Sequence, residues 1–450
     1  MRSPEHDRGK VVVVGAGFAG LAAAVRLAER GCKVVLVEAT KSGGGRARSF
    51  SDTGSGRELD NGQHLMMGCY RETLDFLRTI GSTDGMYFQR NLEVHMQKPG
   101  GRRISLSCPA LPAPLHLAAG LLTMRGLGIW PKAAAMRLGL LLRQEIERPD
   151  DNETCDAWLR RMGQTNGLRM AFWDPLIWAT LNDDPLVGSA AMLVAVIERA
   201  FMGTRDASRL GVPRLPLSRL YVDYALSFLR ARGAEIVLGT AVRELCVRNG
   251  VVDGVMLKSG EELTTSCVVS AVPPRAFLDM LPSSAHGHPV FQDVARLRMS
   301  PIINLWLFLD QPLFEDVPFL GLVGSPFHWL FDRNRIEGSA RHEQILVNCT
   351  ISGARAFIDD TPESLVDLFR AEVQRYFPHR RFTVRSHRVV KEKYATISHA
   401  AGTYQRRPET VSPIRGLYMA GDWVRTGLPA TIESAVQSGH QAAQAILEHA

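Results

Sequence analysis

The sequence predicts an α/β fold in which a parallel-sheet nucleotide-binding domain is interrupted by a mixed α+β domain. Three observations predict it. A β-branched run, Val11 to Val14, leads into Gly15-x-Gly17-x-x-Gly20 and then an Ala- and Leu-rich stretch ending at Gly31. A second apolar run, Lys33 to Val37, ends in Glu38, 18 residues after Gly20. Helix-rich and strand-rich stretches follow, and the chain closes on a strand, a loop and a helix after Gly416.

The unbroken run of valines suits a strand buried on both faces of a parallel sheet. Gly15 allows a tight turn and Gly17 lets the backbone approach a pyrophosphate, with Phe18 and Ala19 completing the turn. Gly20, with Ala24, lets the following helix lie close to the sheet. The helix N-terminus offers free N–H groups and a positive dipole end to phosphates. Glu38, followed by Ala39, falls where ribose hydroxyls lie. An acid rather than an arginine there argues against a 2′-phosphate. The plain alternative is an ordinary glycine-rich loop.

Next comes Gly44-Gly45-Arg46-Ala47. Two glycines permit a loop to pass close to a pyrophosphate, and Arg46 can meet phosphate or a flavin edge with charge-assisted bonds. Residues 72–214 read as mainly helical, with proline-rich joints at Pro109–Pro114 and Pro213–Pro216. A helix starts again at Ser218, carries stripes at Leu220/Tyr224/Phe228 and Tyr221/Ala225/Leu229, and stops at Gly233. Short strands follow in EIVLG, AVRELCVRNG, VVDGVMLKSG and TTSCVVSAVPP, with hairpin turns at Asn249-Gly250 and Ser259-Gly260. They read as a strand-rich insert that returns to the parallel sheet at Cys267–Ala271. Between 275 and 405 the strands INLWLFLD and QILVNCTIS and a helix near 362–376 are expected. At the end, Gly421-Asp422 precedes a helix starting near Thr431, with Ala430 before it and Ile432 after it. A helix N-terminus there would stabilise negative charge on a reduced flavin; the plain alternative is a turn and a closing helix. Residues 1–71, 215–274 and 406–450 are thus assigned to the nucleotide-binding domain. Residues 72–214, the helical part, and 275–405, the sheet part, form the other.

A chain of 450 residues makes two or three domains. With 45% hydrophobic and 22% charged residues it is globular. No apolar run is long enough to span a bilayer, and the N-terminus shows no secretory h-region. Seven widely spaced cysteines without a CxxC pair fit reduced thiols in the cytoplasm, with neither a disulfide frame nor a metal site. The net charge of +7 is uneven. From Ala110 to Arg143 there are four basic residues, Arg125, Lys132, Arg137 and Arg143, and no acid, in a Leu- and Ala-rich setting with Trp130. Such a segment can lie on an anionic membrane surface, or be the solvated basic face of a helical domain. No interleaving of basic and aromatic residues suggests nucleic acid.

Taken in order, "GAGFAG", "GGRA", "VVSAVPP" and "GDW" resemble the amine-oxidase and phytoene-desaturase superfamily of FAD enzymes. The resemblance implies a Rossmann-like FAD-binding domain of the glutathione-reductase type. It implies that the backbone near Val242 holds adenine, Glu38 the ribose, and Asp422 the ribityl or phosphate portion. It also places the loop Asp60-Asn61-Gly62-Gln63-His64 beside the isoalloxazine. No cysteine lies near the C-terminal loop, so no covalent flavin is expected. Five further stretches, "LDNGQHLMMGCYRETL", "LPAPLHLAAGLL", "WDPLIWATLN", "HWLFDR" and "GDWVRTGLPATIESAVQSG", resemble the squalene-associated branch, the bacterial hydroxysqualene dehydroxylases of hopanoid biosynthesis. That branch implies reduction of hydroxysqualene to squalene by reduced FAD. Gly43 and Arg209 depart from its pattern, where an aliphatic and an acidic residue are expected.

Such a reaction needs an acid to protonate the departing hydroxide. It needs a dry cavity that supports developing positive charge, and hydride donor and acceptor near van der Waals contact. His64 is the candidate acid, because histidine titrates near neutral pH; alternatively it only bonds backbone in a tight loop. Gln63 is placed to bond a flavin edge or orient water. Asp183, beside Asp184, is the second candidate, although Asn-Asp-Asp-Pro also suits a helix-ending turn. Phe172, Trp173, Leu176, Trp178, Leu181, Phe201, Trp306, Phe308 and Trp329 either line an apolar tunnel or build core. A desaturase or amine oxidase is the alternative activity. No second GxGxxG is present, so the electron donor stays open between a nicotinamide and another protein.

Overall fold

Val11–Val14 is buried throughout and sits at the centre of a five-stranded sheet. The computed structural model describes residues 9–338 and 344–449. The sheet order is Glu235–Leu238, Val34–Glu38, Val11–Val14, Val268–Ser270 and Leu417–Met419, with every pair parallel. A strand central to such a sheet has a helix-bearing layer on each side, so both of its faces are apolar. One face packs against the helices Phe18–Glu29, Tyr224–Ala231 and Ile432–His449. The other packs against an antiparallel meander, Val242–Arg248, Val251–Leu257 and Glu262–Thr264, and against Phe277 and Phe291.

One strand differs from the sequence expectation. EIVLG is not part of the insert, because Glu235–Leu238 pairs in parallel with Val34–Glu38 at the sheet edge. An edge strand is half solvated, so its pattern looks like that of a meander strand. The Asn249-Gly250 turn has φ of 50° and 76° at its two residues, the left-handed pair a type I′ hairpin requires. The return to the parallel sheet occurs at Val268–Ser270, beside Val11–Val14.

A second sheet of seven strands has the order Val384–Ile397, Met299–Leu309, Ile345–Ser352, Trp329–Asp332, Phe319–Leu322, Glu93–Gln97 and Arg103–Ser107. Its last two strands come from the stretch read as mainly helical. Five residues each, they flank Pro99-Gly100-Gly101, a turn signal that the surrounding helical pattern outweighed. Met86–Phe88 and Leu210–Pro213 are also strands in that stretch. The helix Pro362–Tyr376 packs its apolar stripe, Leu365, Phe369 and Val373, on the second sheet.

Candidate functional site

The two motif glycines after Val14 answer different demands. A Cβ on Gly20 would lie 1.8 Å from the Gly15 carbonyl oxygen, so only glycine lets this helix close on its own turn. Gly17 has an extended backbone, φ −83° and ψ −176°, which any residue adopts. A Cβ there would meet nothing nearer than the Gly45 Cα at 3.9 Å. Two bare backbones, one at a helix N-terminus and one in the Gly44-Gly45 loop, thus face each other. That cradle fits a pyrophosphate. Gly43 departs from the family pattern because Val222 supplies the aliphatic group: a Cβ on Gly43 would lie 2.8 Å from Val222 Cγ1.

Tyr221 holds this loop, and sequence reasoning saw it only as part of an apolar stripe. Its ring stacks on Phe18 at 3.6 Å between centroids. Its hydroxyl lies 2.6 Å from the Gly44 carbonyl and 2.7 Å from that of Ala47. Glu38 ends its strand as expected. Its carboxylate accepts from the Ala16 amide at 2.8 Å and from the Thr40 amide at 2.9 Å. The Thr240 amide donates to the Glu38 carbonyl at 3.1 Å, which brings the start of Val242–Arg248 to the same place.

Arg46 and Asp422, 376 residues apart, form an ion pair at 2.6 Å. Arg46 also donates to the Ala395 carbonyl at 3.0 Å. Burial opposes the guanidinium charge, but the Asp422 carboxylate outweighs it and raises its pKa above the ordinary arginine value. Gly45 and Gly421 are thereby tied into one site. Beneath them Arg407 is only 1% exposed. Its guanidinium donates to the carbonyls of Leu428 at 2.6 Å and Asp422 at 2.8 Å, and to that of Val424. Burial pulls it down to about 10, against the pull of Asp422. Nothing in the sequence sets Arg407 apart from the other basic residues.

The Thr431 hydroxyl accepts from the Ser434 amide at 3.3 Å and caps the last helix, Ile432–His449. The Ala430 amide donates to His399 Nε2 at 2.7 Å, while His399 Nδ1 donates to the Leu181 carbonyl at 2.7 Å. Burial, then the charge of Arg407, pushes His399 down to about 4, so it is neutral. Asp183 is fully buried and accepts from Arg355 at 2.8 Å, from the Ser398 hydroxyl at 2.9 Å and from the His399 amide. Asp183, expected as the second candidate acid, is held by these three partners and anchors the His399 segment. Asn182 has φ 53°, and Asp184 accepts from the Leu186 amide at 2.8 Å. The Asn-Asp-Asp-Pro stretch is a helix-ending turn.

A neutral buried histidine costs stability in acid. With its folded pKa at about 4 and an ordinary value of 6.5, the unfolded state takes up the extra proton below 6.5. Stability is therefore full above that value and is lost as pH falls toward 4, by about 3 kcal/mol for this group. Thermal melts between about pH 7 and pH 5 should show a drop that is smaller in His399→Gln. Gln can keep one donor and one acceptor there.

The loop Asp60 to His64 is held from several sides. Asp60 accepts from the Ser49 hydroxyl at 2.6 Å and from the Leu217 amide at 2.9 Å, and burial raises its carboxyl pKa. Asn61 donates to the Arg46 carbonyl, which ties this loop to Gly45. A Cβ on Gly62 would lie 2.3 Å from Asn304 Nδ2, so the loop rests directly on the second sheet. Gln63 is not free: its Oε1 accepts from Arg333 at 3.0 Å and its Nε2 donates to the His64 carbonyl at 3.2 Å. His64 Nδ1 donates to the Gly62 carbonyl at 2.8 Å, which leaves Nε2 for a substrate. Burial pulls its pKa below the ordinary value, and Asp60 pulls the other way.

The aromatic residues do not line one tunnel. Trp306 and Phe308 pack with Leu59 and Leu346, and the Trp306 indole donates to the Asp60 carbonyl at 2.9 Å. Trp173, Leu181, Phe201 and Trp329 belong to a separate cluster with the helices. In that second cluster a cavity of about 30 Å³ is lined by Met67, Tyr70, Arg199, Leu428 and Thr431, next to the N-terminus of the last helix. It is far smaller than the ~300 Å³ at which ligand pockets begin. Among the described residues no helix is long and apolar enough to cross a membrane.

The family model described as flavin containing amine oxidoreductase matches residues 18–447. Hydroxysqualene dehydroxylase of Rhodopseudomonas palustris is 31% identical over 450 residues, covering 97% of this chain and 98% of that protein. The 15-cis-phytoene desaturase of Synechococcus elongatus is 24% identical over 458 residues, covering 97% of this chain and 96% of that protein. An oxidoreductase from Methanosarcina mazei shares the fold, with a TM-score of 0.77 at 19% identity over 97% of this chain and 100% of that one. The bare backbones at Gly17 and Gly45, the acid at Glu38 and the joined Arg46–Asp422 loops suit a dinucleotide such as FAD. The chain belongs to the flavin-containing amine oxidoreductases and is an FAD-dependent oxidoreductase.

Proposed function

We propose that this enzyme reduces hydroxysqualene to squalene. The observation that carries the reading is the end-to-end match to a protein named hydroxysqualene dehydroxylase, at 31% identity over 97% of the chain. FAD, when bound and reduced, would supply the hydride. The residues proposed to hold it are Gly15, Gly17, Phe18, Ala19 and Gly20 with Gly44, Gly45 and Ala47 at the phosphates, and Glu38, Ala39 and Val242 at the adenosine. Arg46, Gly421 and Asp422 follow along the ribityl chain, with Gly62, Gln63, Ala430, Thr431 and Ile432 around the ring. Residues 1–71, 215–274 and 406–450 would form that domain, and 72–214 with 275–405 the substrate domain.

His64 would deliver the proton that makes the departing hydroxyl a water. Its Nδ1–H stays on the Gly62 carbonyl, so the transferable proton is carried on Nε2. The N-terminus of the last helix would set its positive end toward the ring when FAD is bound. A desaturase reading has support in the match to 15-cis-phytoene desaturase at 24% identity over 97% of the chain. Anaerobic mixing of photoreduced protein with hydroxysqualene separates the two. Reoxidation with squalene formed is expected; absence of reoxidation, with reduction of the oxidised protein by a polyene, would favour the desaturase.

Such a lipid is drawn from a bilayer, and the segment 110–143 is built to touch one. Its helices Leu115–Thr123 and Ile129–Arg143 expose Leu115 (59%), Ile129 (66%), Trp130 (79%) and Leu140 (60%). Lys132, Arg137 and Arg143 supply positive charge, and residues 110–143 contain no acid. Peripheral docking on an anionic surface is the proposed role. The double variant Ile129→Ser/Trp130→Ser should bind anionic vesicles at least ~10-fold more weakly in a sedimentation assay, since each buried side chain of that size is worth about 1.5–3 kcal/mol. Binding equal to that of the unaltered protein would remove this role.

A further inference from the structure

The face of the second sheet beneath Gly62 is not uniformly apolar. Asn304, Asn348 and Thr350 share it with Trp329 and Phe331: Trp329 pairs with Thr350, Thr350 with Asn304, and Phe331 with Asn348. Asn348 is 0% exposed and Trp329 is 8% exposed. The Thr350 hydroxyl donates to Asn304 Oδ1 at 2.9 Å. The Gln63 amide donates to Asn348 Oδ1 at 3.4 Å, which fixes the orientation of that carboxamide. Its Nδ2 is left without a hydrogen-bond partner, and so is Trp329 Nε1. A buried donor without an acceptor costs roughly 1–3 kcal/mol. Two such donors on one sheet face, diagonal neighbours across adjacent strands, need an explanation.

We infer that Asn348 and Trp329 hold the oxygen of the substrate's hydroxyl, and so make the site select an alcohol over the hydrocarbon of the same length. The inference deepens the proposed reaction and rests on it. Both groups are neutral donors, so they match an oxygen acceptor and not a cation. Thr350, between them on the sheet, is only half-buried, so the face is open there. The Gln63 bond to Asn348 places the same patch next to His64, which would protonate the oxygen that the donors hold. Buried polar donors discriminate strongly because a ligand lacking the oxygen leaves them unpaired. As donors they also stabilise charge that builds on the oxygen while its bond to carbon breaks. After proton transfer the oxygen leaves as water.

Asn348→Leu and Trp329→Phe each remove the donor and keep a side chain that fills the site, the first somewhat larger and the second somewhat smaller. The flavin-loaded proteins are titrated with detergent-solubilised hydroxysqualene and, separately, squalene, following the perturbation of the flavin absorbance. Each variant should weaken hydroxysqualene binding about 3- to 10-fold and leave squalene binding unchanged, so that the preference between the two narrows. Thermal melts control for folding. Trp329→Phe removes only an unpaired donor and should leave stability nearly unchanged, whereas Asn348→Leu also removes the acceptor of the Gln63 amide and should melt lower. If the unaltered protein prefers hydroxysqualene and both variants keep that preference, this inference falls and the proposed reaction stands. If the unaltered protein shows no preference at all, this inference falls, and the proposed reaction is decided separately by the reoxidation of the photoreduced protein.

Discussion

Gly17→Val should yield a folded, colourless protein that cannot be loaded with FAD, whereas Gly20→Val should yield no folded protein. The two positions are three residues apart in one motif, and the contrast comes from what a side chain would meet. At Gly20 the obstacle is the Gly15 carbonyl oxygen, 1.8 Å from a Cβ. Backbone cannot move aside as a side-chain tip does, so the cost exceeds the ~1–3 kcal/mol of ordinary overpacking. It consumes much of the ~5–15 kcal/mol by which a domain is stable. At Gly17 the backbone is extended and the nearest atom is 3.9 Å away, so the unloaded chain accommodates the change. The valine then stands where the pyrophosphate must pass between Gly17 and Gly45. FAD affinity should fall at least ~100-fold, about 2.7 kcal/mol. Circular dichroism and a thermal melt report the fold, and the visible absorbance of oxidised flavin reports the loading. A yellow Gly17→Val protein would mean that the cradle has been misassigned.

His64→Ala, with FAD retained, should lower kcat on hydroxysqualene by about 10²–10⁴, the range of one general acid. The sign of the pH dependence follows from its surroundings. Burial pulls the His64 pKa below its ordinary value, so at neutral pH most of the protein carries the neutral ring. An acid must be protonated to act. The rate should therefore rise as pH falls toward that lowered pKa, and decline about tenfold per pH unit above it. The opposite limb, activity growing with pH, would assign His64 as a base and suit the desaturase. In His64→Ala the limb should disappear. Undiminished turnover in that variant would remove His64 from the chemistry, whatever its distance from the ring.

The first prediction draws on a strand–turn–helix–strand unit that the sequence made legible, and the reason is local. Gly17, Gly20 and Glu38 belong to one strand–turn–helix–strand unit, and each meets a demand set by neighbours within about two dozen residues. Val34–Glu38 and the meander turn at Asn249-Gly250 are legible for the same reason. The seven-stranded sheet was less legible. Glu93–Gln97 and Arg103–Ser107 are short strands of one hairpin, and the strand that joins this hairpin to the sheet, Phe319–Leu322, lies more than 200 residues beyond Glu93–Gln97. The two adjacent carboxylates Asp183 and Asp184 look alike in a sequence. Only the position of Arg355, Ser398 and His399 shows that one of them is sealed inside the protein.

The sequence by itself determined that this chain holds a dinucleotide on a parallel sheet and that its last helix returns to the same site. Those properties follow from backbone geometry and glycine spacing, which are written locally. Only the tertiary structure decided that Arg407 laces the C-terminal loop, that Tyr221 clamps the Gly44 turn, that His399 carries Ala430, and that Asn348 keeps an unpaired donor beside His64. A polar side chain acquires its role from the partner it meets. The partners here come from segments brought together by burial of apolar surface, which carries no label for the hydrogen bonds it will enclose.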